Sequence, residues 1–244
     1  MKTVFWLTSI TALTLIATTS RLSPAWEVGA EIETDVATQM HEYLGRITTL
    51  KSLIIMGNLD GAREPAIWLA DHEAVAGLPA DFEPYVGLMR QYARGVNNAT
   101  DLMSAALAVS GMARTCSSCH IANEVAIEFG YDQVPAEWSD TVSHMQRHQW
   151  AVDRLWEGLI GPSDNAWNRG MDMLVDVPLH ADDVMSEDST DADAAALDRM
   201  AGRVHALTRR GTTATTPTAR ADVYGELLGL CAACHTRLGR GPGQ

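Results

Sequence analysis

The sequence predicts an all-α protein built as two tandem halves, and three observations carry that prediction. Alanine and leucine are plentiful and Val-Ile-Thr alternation is scarce, so the apolar residues recur at helical rather than strand spacing. The same order of elements, long helix, short helix, helix, helix, is legible twice along the chain. Each half also ends on one five-residue pattern, Cys116-Ser117-Ser118-Cys119-His120 and Cys231-Ala232-Ala233-Cys234-His235, offset by 115 residues, while Gly57-Asn58-Leu59-Asp60 and Gly161-Pro162-Ser163-Asp164 are offset by 104. The second copy is therefore the longer one. At 244 residues, 46% hydrophobic and 20% charged, the chain can bury two small cores or one large one.

In order, Trp26 to Met56 reads as the first long helix, with Leu44, Ile47, Leu50, Ile54 and Ile55 on a helical period and Gly57-Asn58 as its stop. Asp60 and Pro65 open a shorter helix to about His72. A third runs from Asp81 to about Gly95 with Pro84 in its first turn, and Asn97-Asn98 breaks it. Thr100-Asp101 caps a fourth that is expected to run through the first Cys-x-x-Cys-His to about Phe129. Gly130 to Glu137 is a linker. The pattern then restarts with Ser139 to Ile160, a short helix after Ser163-Asp164 to about Val175, an acidic loop over Asp182 to Asp193, a helix from Ala194 to Arg209, and a last helix from Pro217 carrying the second motif. The expected division is a leader at 1–25, a first helical domain at 26–133 and a second at 134–244.

Met1 to Ala25 has the layout of a secretory signal: Lys2, an uncharged apolar run from Val4 to Ala17, and small residues at Ser23-Pro24-Ala25. The apolar run is short for a bilayer span, which needs about 20 residues; the alternative is an uncleaved membrane anchor. The formal net charge is −13, and loss of Lys2 and Arg21 with the leader makes the balance more negative still. Such a surface does not suit nucleic acid or anionic lipid. It suits plain solubility, and it can also steer a basic partner protein.

The two motifs use all four cysteines. On a helix, cysteines three apart share a face, so their sulfurs can reach the two vinyl groups of one porphyrin, and the histidine that follows can bind its iron. The spelling thus points to two covalently attached haem c groups, held by Cys116, Cys119 and His120 and by Cys231, Cys234 and His235. The other readings are zinc, thiol redox centres and disulfides. Against zinc, 111 residues separate Cys119 from Cys231 and each group alone is incomplete. Against a thiol redox centre, no βαβ pattern surrounds either pair. Of the seven tryptophans, Trp68, Trp150, Trp156 and Trp167 fall within helices as packing residues. Arg114 and Arg237 stand near the motifs, where they could pair with haem propionates or remain solvated.

A Cys-x-x-Cys-His on the last helix of a four-helix bundle resembles the cytochrome c′ (class II) family and its low-spin relatives. The resemblance covers about 28–129 and 139–240 and rests on the two motifs and their place. It implies two tandem four-helix-bundle haem domains, export to the periplasm, and His120 and His235 as proximal ligands. In that family the first helix covers the other face of the haem, with a ligand methionine about four and a half turns before the glycine that ends it. Met40 and His41 lie 17 and 16 residues before Gly57, and His144 and Met145 lie 17 and 16 before Gly161. His148, one turn after His144, shares its face. Adjacent helical residues point about 100° apart, so only one of each pair can face iron. A helix methionine is also ordinary core filler, and the neighbouring histidine departs from the family pattern.

Four functions are compatible with this reading. An electron carrier needs a sixth ligand on each iron. A gas-binding or sensing protein, as five-coordinate members of the family suggest, needs an open distal face. A redox subunit of a larger complex is permitted by the acidic surface. A dihaem peroxidase ranks last, because those enzymes carry the motif near the start of each domain. No phosphate-binding loop or Ser-His-Asp order is visible, so the expectation is a protein that carries electrons rather than an enzyme.

Overall fold

The computed structural model describes residues 25–73, 78–130, 133–136, 140–177, 180–185 and 190–239, with side chains from residue 35 onward except that of residue 183. The proposed leader at 1–25 lies, but for its last residue, outside them. The described residues form eight α-helices and no strand: α1 (Ala25–Ile55), α2 (Arg63–Asp71), α3 (Glu83–Asn97), α4 (Leu102–Ala122), α5 (Thr141–Ile160), α6 (Asp164–Asp176), α7 (Asp191–Gly211) and α8 (Pro217–Arg237). The all-α prediction holds, and no described helix is long and apolar enough to cross a membrane.

Local chemistry explains most boundaries. Asp101, Asp140, Ser163 and Thr216 sit in extended backbone and accept from the N–H three residues on, which starts α4, α5, α6 and α8. Two expectations need correction. The fourth helix stops at Ala122 rather than near Phe129, because the Asn123 side chain donates back to the Cys119 carbonyl at 2.9 Å and Glu124 turns left-handed at φ 53°. The seventh begins inside the supposed acidic loop. Thr190 and Asp193 form a reciprocal capping box, and the acidic residues of the first turn lie at the positive end of the helix dipole.

The cap carboxylates give a pH prediction. Asp101 and Asp140 are held below the ordinary carboxyl value, first by the backbone N–H and then by the hydroxyl of Ser104 and Ser143. A carboxyl whose pKa is depressed on folding contributes stability at neutral pH that is lost as pH falls through its folded value. Asp101→Ala and Asp140→Ala are expected to be less stable than the parent at pH 7. In thermal unfolding followed by circular dichroism, that difference should shrink below about pH 4.

The centre of the molecule is the antiparallel pair α4 and α8. Both are apolar on several faces, as befits helices surrounded by others. Small residues let their backbones approach. The Ser110 hydroxyl donates to the Ala221 carbonyl at 2.5 Å. A Cβ added at Gly225 would lie 3.0 Å from Leu107 and 3.1 Å from Ser110, and one at Gly229 would lie 2.4 Å from Met103. As partners on α8 rise in number those on α4 fall, so the helices run in opposite directions. Helices α1 and α5 each lie against both members of this pair and meet each other through Lys51 and Asp153, 2.5 Å apart. Buried Arg220 ties α8 to the rest of its own half, with its Nε donating to Ala214 O at 3.1 Å and its guanidinium paired with Asp164 at the start of α6. One continuous core draws on both halves, from Ile47 and Leu50 to Leu155, Trp167 and Leu228.

Candidate functional site

Each Cys-x-x-Cys-His closes the last turns of a central helix, so α4 and α8 carry the two motifs to opposite ends of the molecule. With Ser110 beside Ala221, Cys119 lies nine residues beyond the contact on one helix and Cys231 ten beyond it on the other. At 1.5 Å per residue the motifs stand about 28 Å apart along the axis. They cannot share one ion, and among the described residues no three His, Cys, Asp or Glu side chains are grouped to hold a metal.

The histidines are positioned alike and across the halves. His120 Nδ1 lies 2.9 Å from the carbonyl of Ile160, the last residue of α5, and His235 Nδ1 lies 2.8 Å from the carbonyl of Ile55, the last residue of α1. The last carbonyls of a helix have no partner within it, so these acceptors are available by construction. A carbonyl only accepts, so Nδ1 carries the proton and Nε2 of the neutral ring keeps its lone pair. The negative end of the helix dipole adds to ring basicity. Gly57 permits the second of these contacts. It turns left-handed at φ 73°, and a Cβ there would stand 2.5 Å from Thr236 Oγ1, beside His235. Burial, partly offset by the Ile160 bond, holds the His120 pKa below its ordinary value and so keeps the ring neutral.

The thiols are also neutral. Burial, then the neighbouring cysteine, pushes Cys116 and Cys231 up to about 12. Burial raises Cys119 and Cys234 as well, and at Cys119 the Asn123 amide, 3.5 Å from Sγ, opposes the rise. Nucleophilic and redox-active thiols have the reverse property, a depressed pKa.

The residues expected on the opposite face fall at matching heights. Met40 and His41 lie 15 and 14 residues before Ile55, about 22 Å back along α1 from motif two and hence toward motif one. His144 and Met145 lie 16 and 15 before Ile160, about as far from motif one and toward motif two. By register, then, each Met-His pair approaches the motif of its own half. Met40 packs against the core, whereas His41 is exposed. His144 and His148 rings stand 4.7 Å apart, and His148 Nε2 donates to the Val177 carbonyl at 2.7 Å.

Arg114 reaches the Tyr92 hydroxyl at 2.5 Å, and Arg237 pairs with Asp193 at 2.8 Å. A shallow groove of about 380 Å³ lies between the linker and the middle of α5, at Gln133, Pro135, Gln146, Gln149, Trp150 and Asp153. The helix-end carbonyls and Asn123 are the site groups that sequence reasoning missed. Their only signal was that Gly57 and Gly161, which end α1 and α5, belong to the repeat.

Comparison with protein-family models, curated proteins and solved structures gives no match to this chain.

Proposed function

We propose that the chain is an exported dihaem c-type cytochrome that transfers electrons. Cys116, Cys119 and His120 hold one haem, Cys231, Cys234 and His235 hold the other, and each half corresponds to one cytochrome c′-like four-helix unit. The observation that supports this most is the duplicated arrangement of His120 and His235, each with Nδ1–H spent on a helix-end carbonyl and Nε2 left with the lone pair that can ligate a metal. A hydrogen bond of this kind fixes ring orientation and raises the basicity of a metal-binding imidazole. Neutral thiols three residues apart, with the histidine adjacent, complete a donor set suited to covalent haem and poor for thiol exchange. The haem supplies a one-electron iron couple; the chain supplies attachment, proximal ligation and burial.

Met40 or His41, and His144, Met145 or His148, are the candidate sixth ligands. Ligated iron cannot bind a small substrate, which favours carriage over catalysis. The acidic surface suits a basic redox partner in the periplasm, and retention of the leader would anchor the protein there instead. The second reading, gas binding at the motif-two haem, is favoured by the bond from His148 Nε2 to Val177 O, which occupies that nitrogen.

Electron paramagnetic resonance and visible spectra separate the two. A carrier gives low-spin ferric signals from both haems. High-spin signals with ready carbon monoxide binding would establish the gas-binding reading at that haem. Replacing Met40, His41, His144, Met145 and His148 by alanine singly should convert one haem to high spin in one variant from each half. If none of the five changes either spectrum, the distal assignment fails.

A further inference from the structure

We propose that the Trp156–Tyr224 ring pair is the electronic bridge between the two haem sites, an inference that rests on the haem reading above. The motifs are about 28 Å apart along the bundle, and tunnelling decays far less steeply through bonded and packed atoms than across gaps. Between them the structure supplies a route of helix backbone bridged by one buried aromatic pair. From His120 the hydrogen bond leads to Ile160 O, and Trp156 lies one turn back along α5, about 6 Å away. The Trp156 and Tyr224 rings stand 5.6 Å apart at 30°, and both are buried. Tyr224 lies two turns before Cys231 on the same face of α8, about 10 Å away.

The route is not a by-product of the repeat. The pseudo-equivalent path from His235 through Ile55 toward Cys116 passes Lys51, four residues before Ile55 as Trp156 is before Ile160, and Val109, the counterpart of Tyr224 at an offset of 115, and carries no ring at either position. One of two related paths has been furnished with aromatics.

The rings act as a bridge and are not themselves oxidised. The Tyr224 hydroxyl donates to the Val152 carbonyl at 3.4 Å, an acceptor that cannot take its proton, and burial, then the Asp153 carboxylate, hold the phenol in its protonated form. The Lys51 ammonium, 5.7 Å from the Trp156 ring and held by Asp153, opposes a positive charge on the indole. With haem bound at both motifs, one electron would pass from a ferrous to a ferric iron with no bond made or broken and no proton transferred, and the chain's own contribution would be the coupling through Trp156 and Tyr224.

The test is the rate of intramolecular electron exchange in the half-reduced holoprotein, read by nuclear magnetic resonance exchange between haem-methyl signals and extrapolated to low protein concentration. Haem content is measured first; a chain without two covalent haems refutes the underlying reading, a result distinct from an unchanged rate. With two haems present, Trp156→Leu is expected to slow exchange several-fold while both haem spectra and potentials stay put, and Trp156→Phe, which keeps a ring and is the milder change should the leucine variant not fold, is expected to slow it less. Val109→Ala, on the ringless path, is the packing control and should leave the rate unchanged. An unchanged rate in the Trp156 variants, or an equal fall in Val109→Ala, overturns the proposal.

Discussion

On the proposed haem reading, replacing Cys116 and Cys119 together with alanine is expected to halve the haem content of the protein, from two per polypeptide to one. The two motifs stand at opposite ends of the α4–α8 pair, and each has its own cysteines and its own histidine. Losing one pair therefore leaves the other donor set intact, with His235 still held by the Ile55 carbonyl. The visible absorbance per mole of protein should fall by about half, and the remaining spectrum should be that of the motif-two haem. The pair Cys231→Ala and Cys234→Ala should leave the complementary spectrum, so that the two sum to the parent. Were the cysteines zinc ligands or disulfides, the same variants would leave visible absorbance untouched.

Gly225→Leu is expected to destabilise the whole molecule, not one half of it. The α4 and α8 backbones approach so closely that even a Cβ at Gly225 meets Leu107 and Ser110 at 3.0 and 3.1 Å. Overpacking of this kind costs about 1–3 kcal/mol, and at this chain length each kcal/mol lowers Tm by about 2–4 °C. Because one core draws on both halves, the loss should appear in a single unfolding transition. Gly202 provides the control. It lies inside α7 with nothing within 4 Å of an added Cβ, so Gly202→Ala should instead stabilise by about 0.5–1 kcal/mol. Two separated transitions in Gly225→Leu, with the first half unaffected, would show that the halves are thermodynamically independent.

The fold was largely legible where a local rule decides it. Asp101, Pro217 and Gly57 announce their boundaries by capping, by a fixed φ and by a left-handed turn, and the structure places helix ends at or within two residues of each. The misplacements have physical causes. Ile127 and Phe129 continue an apolar pattern and so suggest more helix, but they lie beside Gly161 in a non-helical segment after Asn123 ends α4. Asp191 and Asp193 suggest an acidic loop by charge density, yet Thr190 and Asp193 are a capping box, a signal present in the sequence and outweighed by composition.

The site divides along the same line. The motif residues are readable from spelling alone, since their spacing fixes which side chains share a helical face. Their supports are not. Nothing in Ile55 or Ile160 marks a backbone carbonyl as a partner for a histidine in the other half. Ser110, Gly225 and Gly229 advertise close approach without naming the helix that approaches. Likewise the register of α1 and α5 carries Met40 and His144 toward the motif of their own half, but which member of each Met-His pair faces that motif depends on helix rotation, and spacing does not encode that.

The central claim is that both motifs hold haem covalently, each with its own histidine as proximal ligand. The most direct measurement is the intact mass of the exported protein under denaturing conditions, combined with a pyridine haemochrome assay. The account predicts the mass of the leader-free chain plus two haems, with the haemochrome counting two per chain and the label mapping to peptides 116–120 and 231–235. A chain at its bare polypeptide mass, or one that carries zinc or disulfides at these cysteines, would contradict it.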